Sequence, residues 1–343
     1  MGSVTAASDT RAARKALTPI AGQSLSVRQA CNADNGAGGD HQNKGERAMK
    51  VGFVGLGTMG LAMAANILRG GHKVRGYDRS AEAVDAHAGN GGIPAASVAE
   101  AFDGAEMVIT MLPDGKATRK ALFEDSALSG LKPGALVIDM TTSHPMDTDS
   151  LRADVECMGF HFIDAPVGRT PAEAITGDLL ILAGGKPEDI ESARAVLECM
   201  GETVIDCGGP GKGARMKIIN NTMTTVLNVL TAEAVALAEA VGLDRDLTVE
   251  TLRGTAAGKG LMHSNFYKKA FQGDFSPAFM VDLARKDLGI ALDLAGQSGL
   301  PMAVAEGADT VYERAQQNTL GQMDWTVVYR MLRERTPDGP SAQ

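Results

Sequence analysis

The most constraining feature of this chain is a glycine pattern set between a strand signal and a helix signal. Lys50-Val-Gly-Phe-Val-Gly55 is a short β-rich run. It leads into Gly55-Leu-Gly57-Thr58-Met59-Gly60, and then into a helical run that ends at Arg69 and is closed by Gly70 and Gly71. A second β-rich run over 73–77 ends in Asp78. Glycines at these spacings say little alone. Between a strand and a helix, with an acidic residue about 20 positions on, they are the fingerprint of a dinucleotide-binding βαβ unit. Gly55 permits the tight turn, and Gly57 lets the backbone approach a pyrophosphate at the helix N-terminus, which Thr58 and Met59 open. Gly60 lets the helix pack close to the strand. Asp78 would accept hydrogen bonds from the ribose hydroxyls and repel a 2′-phosphate. The expected cofactor is therefore NAD, as NADH. NADP is less favoured, although the neighbouring Arg79 would tolerate a phosphate.

The alternation of β-rich and helical runs continues to about residue 210. Strands are expected near 105–112, 135–139, 160–164, 179–183 and 203–206, and helices near 80–88, 116–123, 146–158 and 188–199. This predicts an α/β fold, an N-terminal Rossmann-type doubly wound sheet over 49–210. Ligands of such sheets bind outside the carboxyl ends of the strands. Leu112, Pro113 and Thr142 lie at such ends and are expected to line the cofactor. The Gly/Pro/Thr-rich loop after the strand at 160–164 contains Gly168, Arg169 and Thr170 and is the second candidate stretch.

Residues 211–241 read as one long inter-domain helix. From Ala214 to Val241 there is no Gly or Pro, and Gly242 is a good stop. Most of its faces are apolar, so most of it is expected to be buried. Lys217, Asn220, Asn221, Thr224, Asn228 and Thr231 nevertheless share one polar stripe. Buried polar groups need partners, and a buried charge shifts its pKa. The stripe therefore faces a polar cleft or ligand, or else a subunit interface or an Asn ladder satisfied by neighbouring helices. Residues 242–334 show no β-rich alternation and are expected to form an all-α C-terminal domain, with helices near 246–253, 260–271, 279–298, 301–316 and 324–333. Lys286 lies near the middle of the third of these, where the plainest reading is a solvated helix residue.

The net charge of −9 argues against nucleic-acid binding. No uninterrupted apolar stretch reaches the roughly 18 residues of a membrane span. The cysteines at 31, 157, 199 and 207 form no metal-spaced set, and the histidines are scattered, so no metal is expected. This cysteine usage fits a reducing compartment, the cytoplasm. Residues 1–48 lack periodicity and are expected to be a disordered extension, foreign to the natural protein if translation starts at Met49. A transit peptide around Arg11–Lys15 is the alternative. Residues 335–343 are expected to be a frayed tail.

The ordered set GFVGLGTMG, Asp164-Ala-Pro-Val-Gly, Gly208-Gly-Pro-Gly-Lys-Gly, Lys217-Ile-Ile-Asn-Asn221 and Lys286-Asp-Leu resembles the β-hydroxyacid dehydrogenase family over residues 49 to about 333. The resemblance implies a Rossmann domain, a long helix, a helical C-terminal domain and a homodimer or homotetramer. It further implies Lys217 as general acid, Asn221 as orienting group and Lys286 on the cofactor side. The family's substrate loop usually reads DAPVSGG, whereas this chain has Gly168-Arg169-Thr170. That loop, with Gly254-Thr-Ala-Ala-Gly-Lys-Gly260 and Ser276-Pro-Ala-Phe-Met280, is similar to members that reduce a small sulfonated aldehyde. Arg169, Thr170, Asn220 and Thr224 would then supply donors to the anion. A carboxylate substrate, such as 3-hydroxyisobutyrate or succinic or tartronic semialdehyde, is the alternative. A non-catalytic NAD-binding regulator is the more remote one. An ion pair to an acidic residue of the other domain is the competing reading of Arg169.

Overall fold

The computed structural model describes residues 47–255, 258, 260–261 and 265–334. The expectations for the N-terminal extension up to residue 46, for the tail, and for parts of 254–264 lie outside these residues.

Three βα steps build the first half of the sheet: β1 (Lys50–Val54), α1 (Thr58–Arg69), β2 (Lys73–Tyr77), α2 (Ala81–Gly89), β3 (Ile93–Pro94) and α3 (Val98–Phe102). The second half follows with β4 (Met107–Thr110), α4 (Gly115–Phe123), β5 (Leu136–Asp139), α5 (Pro145–Cys157) and β6 (His161–Asp164). The six strands are parallel in the order β3-β2-β1-β4-β5-β6. The order reverses between β1 and β4, where such sheets open a crevice for a ligand. Every residue of β4 and β5 is buried, as a parallel sheet covered on both faces requires.

A smaller sheet follows: β7 (Val167–Gly168), α6 (Pro171–Thr176), β8 (Leu180–Ala183), α7 (Pro187–Met200) and β9 (Thr203–Asp206). β7 pairs antiparallel to β8, and β8 parallel to β9. A bridge between Asp164 and Gly184 joins this sheet to the end of β6. The Gly, Pro and Thr content of 168–177 predicts a loop, but the structure forms the helix α6 there. Its first turn closes a capping box, in which Thr170 caps the helix and Glu173 bonds back to the Thr170 N–H, and Gly177 stops it at φ 81°.

The long helix α8 spans Lys212–Ala240, 29 residues. It ends in a Schellman turn, with Leu243 N–H bonding to Ala238 O and Gly242 at φ 82°. It begins one residue after the expected 211 and ends one before 241, and Gly213 belongs to its first turn. A Cβ there would lie 2.2 Å from Leu182 O and 2.6 Å from Asp164 O, so only glycine fits. Around the second half of α8 pack α9 (Arg245–Arg253), α10 (Val281–Gln297), α11 (Ala303–Gln317) and α12 (Val327–Arg333). Val229, Ala232 and Val235 sit in their shared core with Phe266, Leu288 and Tyr312.

Two expectations for α8 are corrected. By length and composition it could cross a membrane, and part of it is core. It is not mostly buried, however. Met216, Ile219, Met223 and Leu230 stand exposed along one side, with Met223 71% exposed. Nor does the polar stripe face a single environment. Asn228 is fully buried, and its amide N–H groups donate to the Tyr312 hydroxyl on α11 and to Trp325 O in the turn before α12. Thr231 bonds back to Leu227 O within its own helix.

Candidate active site

The dinucleotide end is built from the first turn of α1. Gly57 caps it without a side-chain hydrogen bond, and no acidic residue follows in the first turn. The N–H groups of Thr58, Met59 and Gly60 thus open toward an anion. Gly55 has φ 99°, and a Cβ at Gly60 would lie 1.8 Å from Gly55 O, whereas one at Gly57 meets open space. Gly55 and Gly60 are structural requirements of the turn, and Gly57 leaves clearance for a pyrophosphate. Asp78 accepts from Leu56 N–H at 2.8 Å and from Ser80 N–H at 2.9 Å, so its carboxylate is fixed at the end of β2. Beside it lies a cavity of about 310 Å³ with walls from Tyr77, Val84, Ala95 and Ala96. These residues fit the adenosine half of a nicotinamide dinucleotide.

The ends of β4 and β5 are stapled together by Asp139, which is 2% exposed. It accepts from the Thr110 hydroxyl at 2.9 Å and from Thr141 N–H at 3.1 Å. Burial pushes its carboxyl up to about 6, against the pull of these donors. Thr141 in turn accepts from Leu112 N–H at 3.0 Å. The loops carrying Leu112, Pro113 and Thr142 are thereby held side by side. Lys286 reaches across from α10 and donates to Pro113 O at 3.1 Å and Thr142 O at 2.9 Å. It is therefore not a solvated helix residue.

Asp287 joins this end to α8. It is 2% exposed, accepts from the Asn221 amide at 2.6 Å, and its other oxygen lies 3.1 Å from the Lys286 ammonium. Asn220 donates to Asn221 at 3.1 Å. Lys217 lies one turn before Asn221, partly buried and without a hydrogen-bond partner among the described residues. Burial pushes its ammonium below the ordinary lysine range. Asp287 opposes this shift and Lys286 adds to it. The arrangement is an available proton on a lysine, flanked by an oriented amide and a second cation.

The substrate loop is arranged differently from expectation. Arg169 holds a left-handed backbone, φ 76°, and its guanidinium donates to Asp178 O at 2.5 Å and pairs with Glu202 at 3.1 Å. Both partners belong to the small-sheet region, so this is not a pair with the helical region. Thr170 spends its hydroxyl and N–H on Glu173. Gly168 pairs with Leu180 in the β7–β8 ladder. Thr224 bonds back to Asn220 O and Asn221 O. Contacts therefore link Asn220, Asn221 and Lys286 through Asp287, with Lys217 under its electrostatic influence. They tie Arg169 and Thr170 to their own loop.

Sequence reasoning missed Asp287 and Asp164. Asp287 falls on the buried stripe of α10 with Ala284, Leu288 and Ala291, and a carboxylate in such a stripe is a readable signal. Asp164 is 1% exposed and accepts from Gly211 and Ala214 N–H, both at 2.7 Å, at the start of α8. Burial raises its carboxyl to about 7, the two donors oppose the shift, and the Asp139 charge adds to it. It fixes the helix turn from which Lys217 projects.

Two family models cover this architecture. The NAD-binding domain of 6-phosphogluconate dehydrogenase matches residues 50–209, and the NAD-binding domain of NADP-dependent 3-hydroxyisobutyrate dehydrogenase matches 211–332. The chain is 49% identical over 284 residues to 3-sulfolactaldehyde reductase of Escherichia coli strain K12, covering 82% of this chain and 95% of that one. The chain belongs to the β-hydroxyacid dehydrogenase family. A probable 3-hydroxyisobutyrate dehydrogenase of Mycobacterium tuberculosis strain H37Rv is 32% identical, over 83% of this chain and 98% of that one. The solved structure of a 3-hydroxyisobutyrate dehydrogenase from M. tuberculosis with L-serine superposes with a TM-score of 0.77 at 32% identity, covering 84% of this chain and 100% of that one. As a β-hydroxyacid dehydrogenase the chain is an oxidoreductase using a nicotinamide dinucleotide. The glycine turn and the Asp78 cavity have the clearance and the acceptor that such a cofactor calls for.

Proposed function

We propose that this enzyme reduces 3-sulfolactaldehyde to 2,3-dihydroxypropane-1-sulfonate with NADH, a reversible step in the breakdown of sulfoquinovose in the cytoplasm. The observation that carries the reading is the 49% identity to the E. coli 3-sulfolactaldehyde reductase across nearly its whole length, against 32% for the 3-hydroxyisobutyrate dehydrogenase. The Gly168-Arg169-Thr170 loop, in place of the usual Ser-Gly-Gly, supports it. Asp78 favours NADH over NADPH.

When bound, the nicotinamide supplies the hydride that reaches the aldehyde carbon. Lys217 gives its proton to the carbonyl oxygen as the new alcohol forms, and its charge steadies that oxygen beforehand. Asn221, locked by Asp287, orients the carbonyl. Lys286 holds the Pro113 and Thr142 loops at the nicotinamide end. The sulfonate is proposed to bind between the turn of Gly168, Arg169 and Thr170 and the side of α8 that carries Asn220 and Thr224, where Thr170 and Thr224 donate to it only by giving up their bonds to Glu173 and to the helix carbonyls. Arg169 contributes through the left-handed turn it shapes, because Glu202 and Asp178 O already engage its guanidinium.

Arg169→Gly tests this division of roles, since glycine adopts the same backbone at little cost. Its kcat/KM for the sulfonated aldehyde is expected within about threefold of wild type. A lost guanidinium–sulfonate contact would instead cost about a hundredfold.

The exposed apolar side of α8 supports a homodimer or homotetramer, with Met216, Ile219 and Met223 seated against a second copy. Met223→Glu is expected to lower the mass measured by light scattering to that of the monomer. An unchanged mass would place the interface elsewhere.

A further inference from the structure

The adenosine cavity carries more charge than its fingerprint residue. Two carboxylates, Asp78 and Asp85, and one guanidinium, Arg79, line it. Asp78 is the expected ribose ligand. Asp85 sits one helical turn after Ala81, and Ala81, Val84 and Asp85 put the same face of α2 on the cavity. Asp85 is exposed and has no hydrogen-bond or ion-pair partner among the described residues, and the same holds for Arg79. Neither charge is cancelled by the protein itself.

The balance of these three groups matters. With Asp78 and Arg79 alone, the lining would be neutral, and the guanidinium would be free to take a phosphate. The N-terminus of α2, capped by Ser80, would favour an anion as well. Asp85 gives the lining a net negative charge. Glu82 reinforces it in the first turn of the same helix, where it accepts from the Ser80 hydroxyl at 2.6 Å.

We infer that Asp85 is a second determinant of cofactor choice, opposing Arg79 so that a 2′-phosphate is excluded from the adenosine cavity. The inference rests on the NADH reading and extends it from Asp78 to a residue outside the glycine fingerprint. The effect is through-space and solvent-exposed, so it is modest and screened by salt.

The test is steady-state kinetics with NADH and with NADPH, for wild type, Asp85→Asn, Asp85→Glu, Asp78→Asn and the double asparagine variant, at low and high ionic strength. Asp85→Asn is expected to raise the NADPH-to-NADH ratio of kcat/KM about fivefold at low salt, the order expected of one screened charge. The gain should shrink at high salt. Asp85→Glu should keep the wild-type ratio, and the double variant should exceed either single one. If Asp78→Asn raises the ratio while Asp85→Asn leaves it unchanged, the inference fails and the NADH reading stands. A wild-type enzyme that uses NADPH as well as NADH overturns both.

Discussion

Replacing Lys217 with Ala is expected to lower kcat for the aldehyde by about a thousandfold, within the range of a lost general acid, while NADH still binds. The reasons are local. Lys217 has no hydrogen-bond partner among the described residues, so its removal leaves no partner unsatisfied there. The glycine turn, Asp78 and the Lys286 bridge, which hold the dinucleotide in the proposed reading, do not depend on it. Fluorescence titration should therefore give an NADH affinity close to wild type. Retained turnover in the alanine variant would remove Lys217 from the chemistry.

The second large effect is expected from Asp287→Asn. The Asp287 carboxylate holds the Asn221 amide at 2.6 Å and sits 3.1 Å from the Lys286 ammonium. Losing its charge loosens both contacts, and misplacing catalytic groups by about 1 Å can cost around a hundredfold in rate. A pH profile separates this from a general loss of structure. Asp287 raises the Lys217 pKa against burial and against Lys286. Without that charge the ammonium loses its proton more easily. In the proposed mechanism reduction requires protonated Lys217, so the alkaline limb of kcat should move to lower pH. A variant with reduced kcat but an unmoved alkaline limb would show that Asp287 acts only in packing.

How much of this was legible in the sequence depended on how local each signal was. The βαβ fingerprint needs only neighbours in sequence, and β1, α1, β2 and Asp78 stand where the glycines place them. The carboxyl ends of β4 and β5 could be read because the strands are apolar runs stopped by turn residues. The helix α6 was hidden because the Thr, Pro and Gly around it read as loop, although Thr170 and Glu173 three residues later spell a capping box. The polar stripe on α8 was visible, but its partners were not. Asn221 meets Asp287 from 66 residues away, and Asn228 meets Tyr312 from 84. A periodicity argument cannot tell those two environments apart. Arg169 shows the same limit, since its charge suggested an anion ligand and only the fold brings Glu202 to it. The exposed side of α8 was misjudged because apolar residues on a helix were equated with burial. They also mark surfaces left for a second chain.

The most direct measurement is NADH oxidation by one enzyme preparation with 3-sulfolactaldehyde and with succinic semialdehyde, compared as kcat/KM. The expected result is a preference of at least about a hundredfold for the sulfonated aldehyde, roughly 2.7 kcal/mol of transition-state discrimination. Equal values, or a preference for the carboxylate, would contradict the proposed substrate and leave a β-hydroxyacid dehydrogenase whose Gly168-Arg169-Thr170 turn serves another anion.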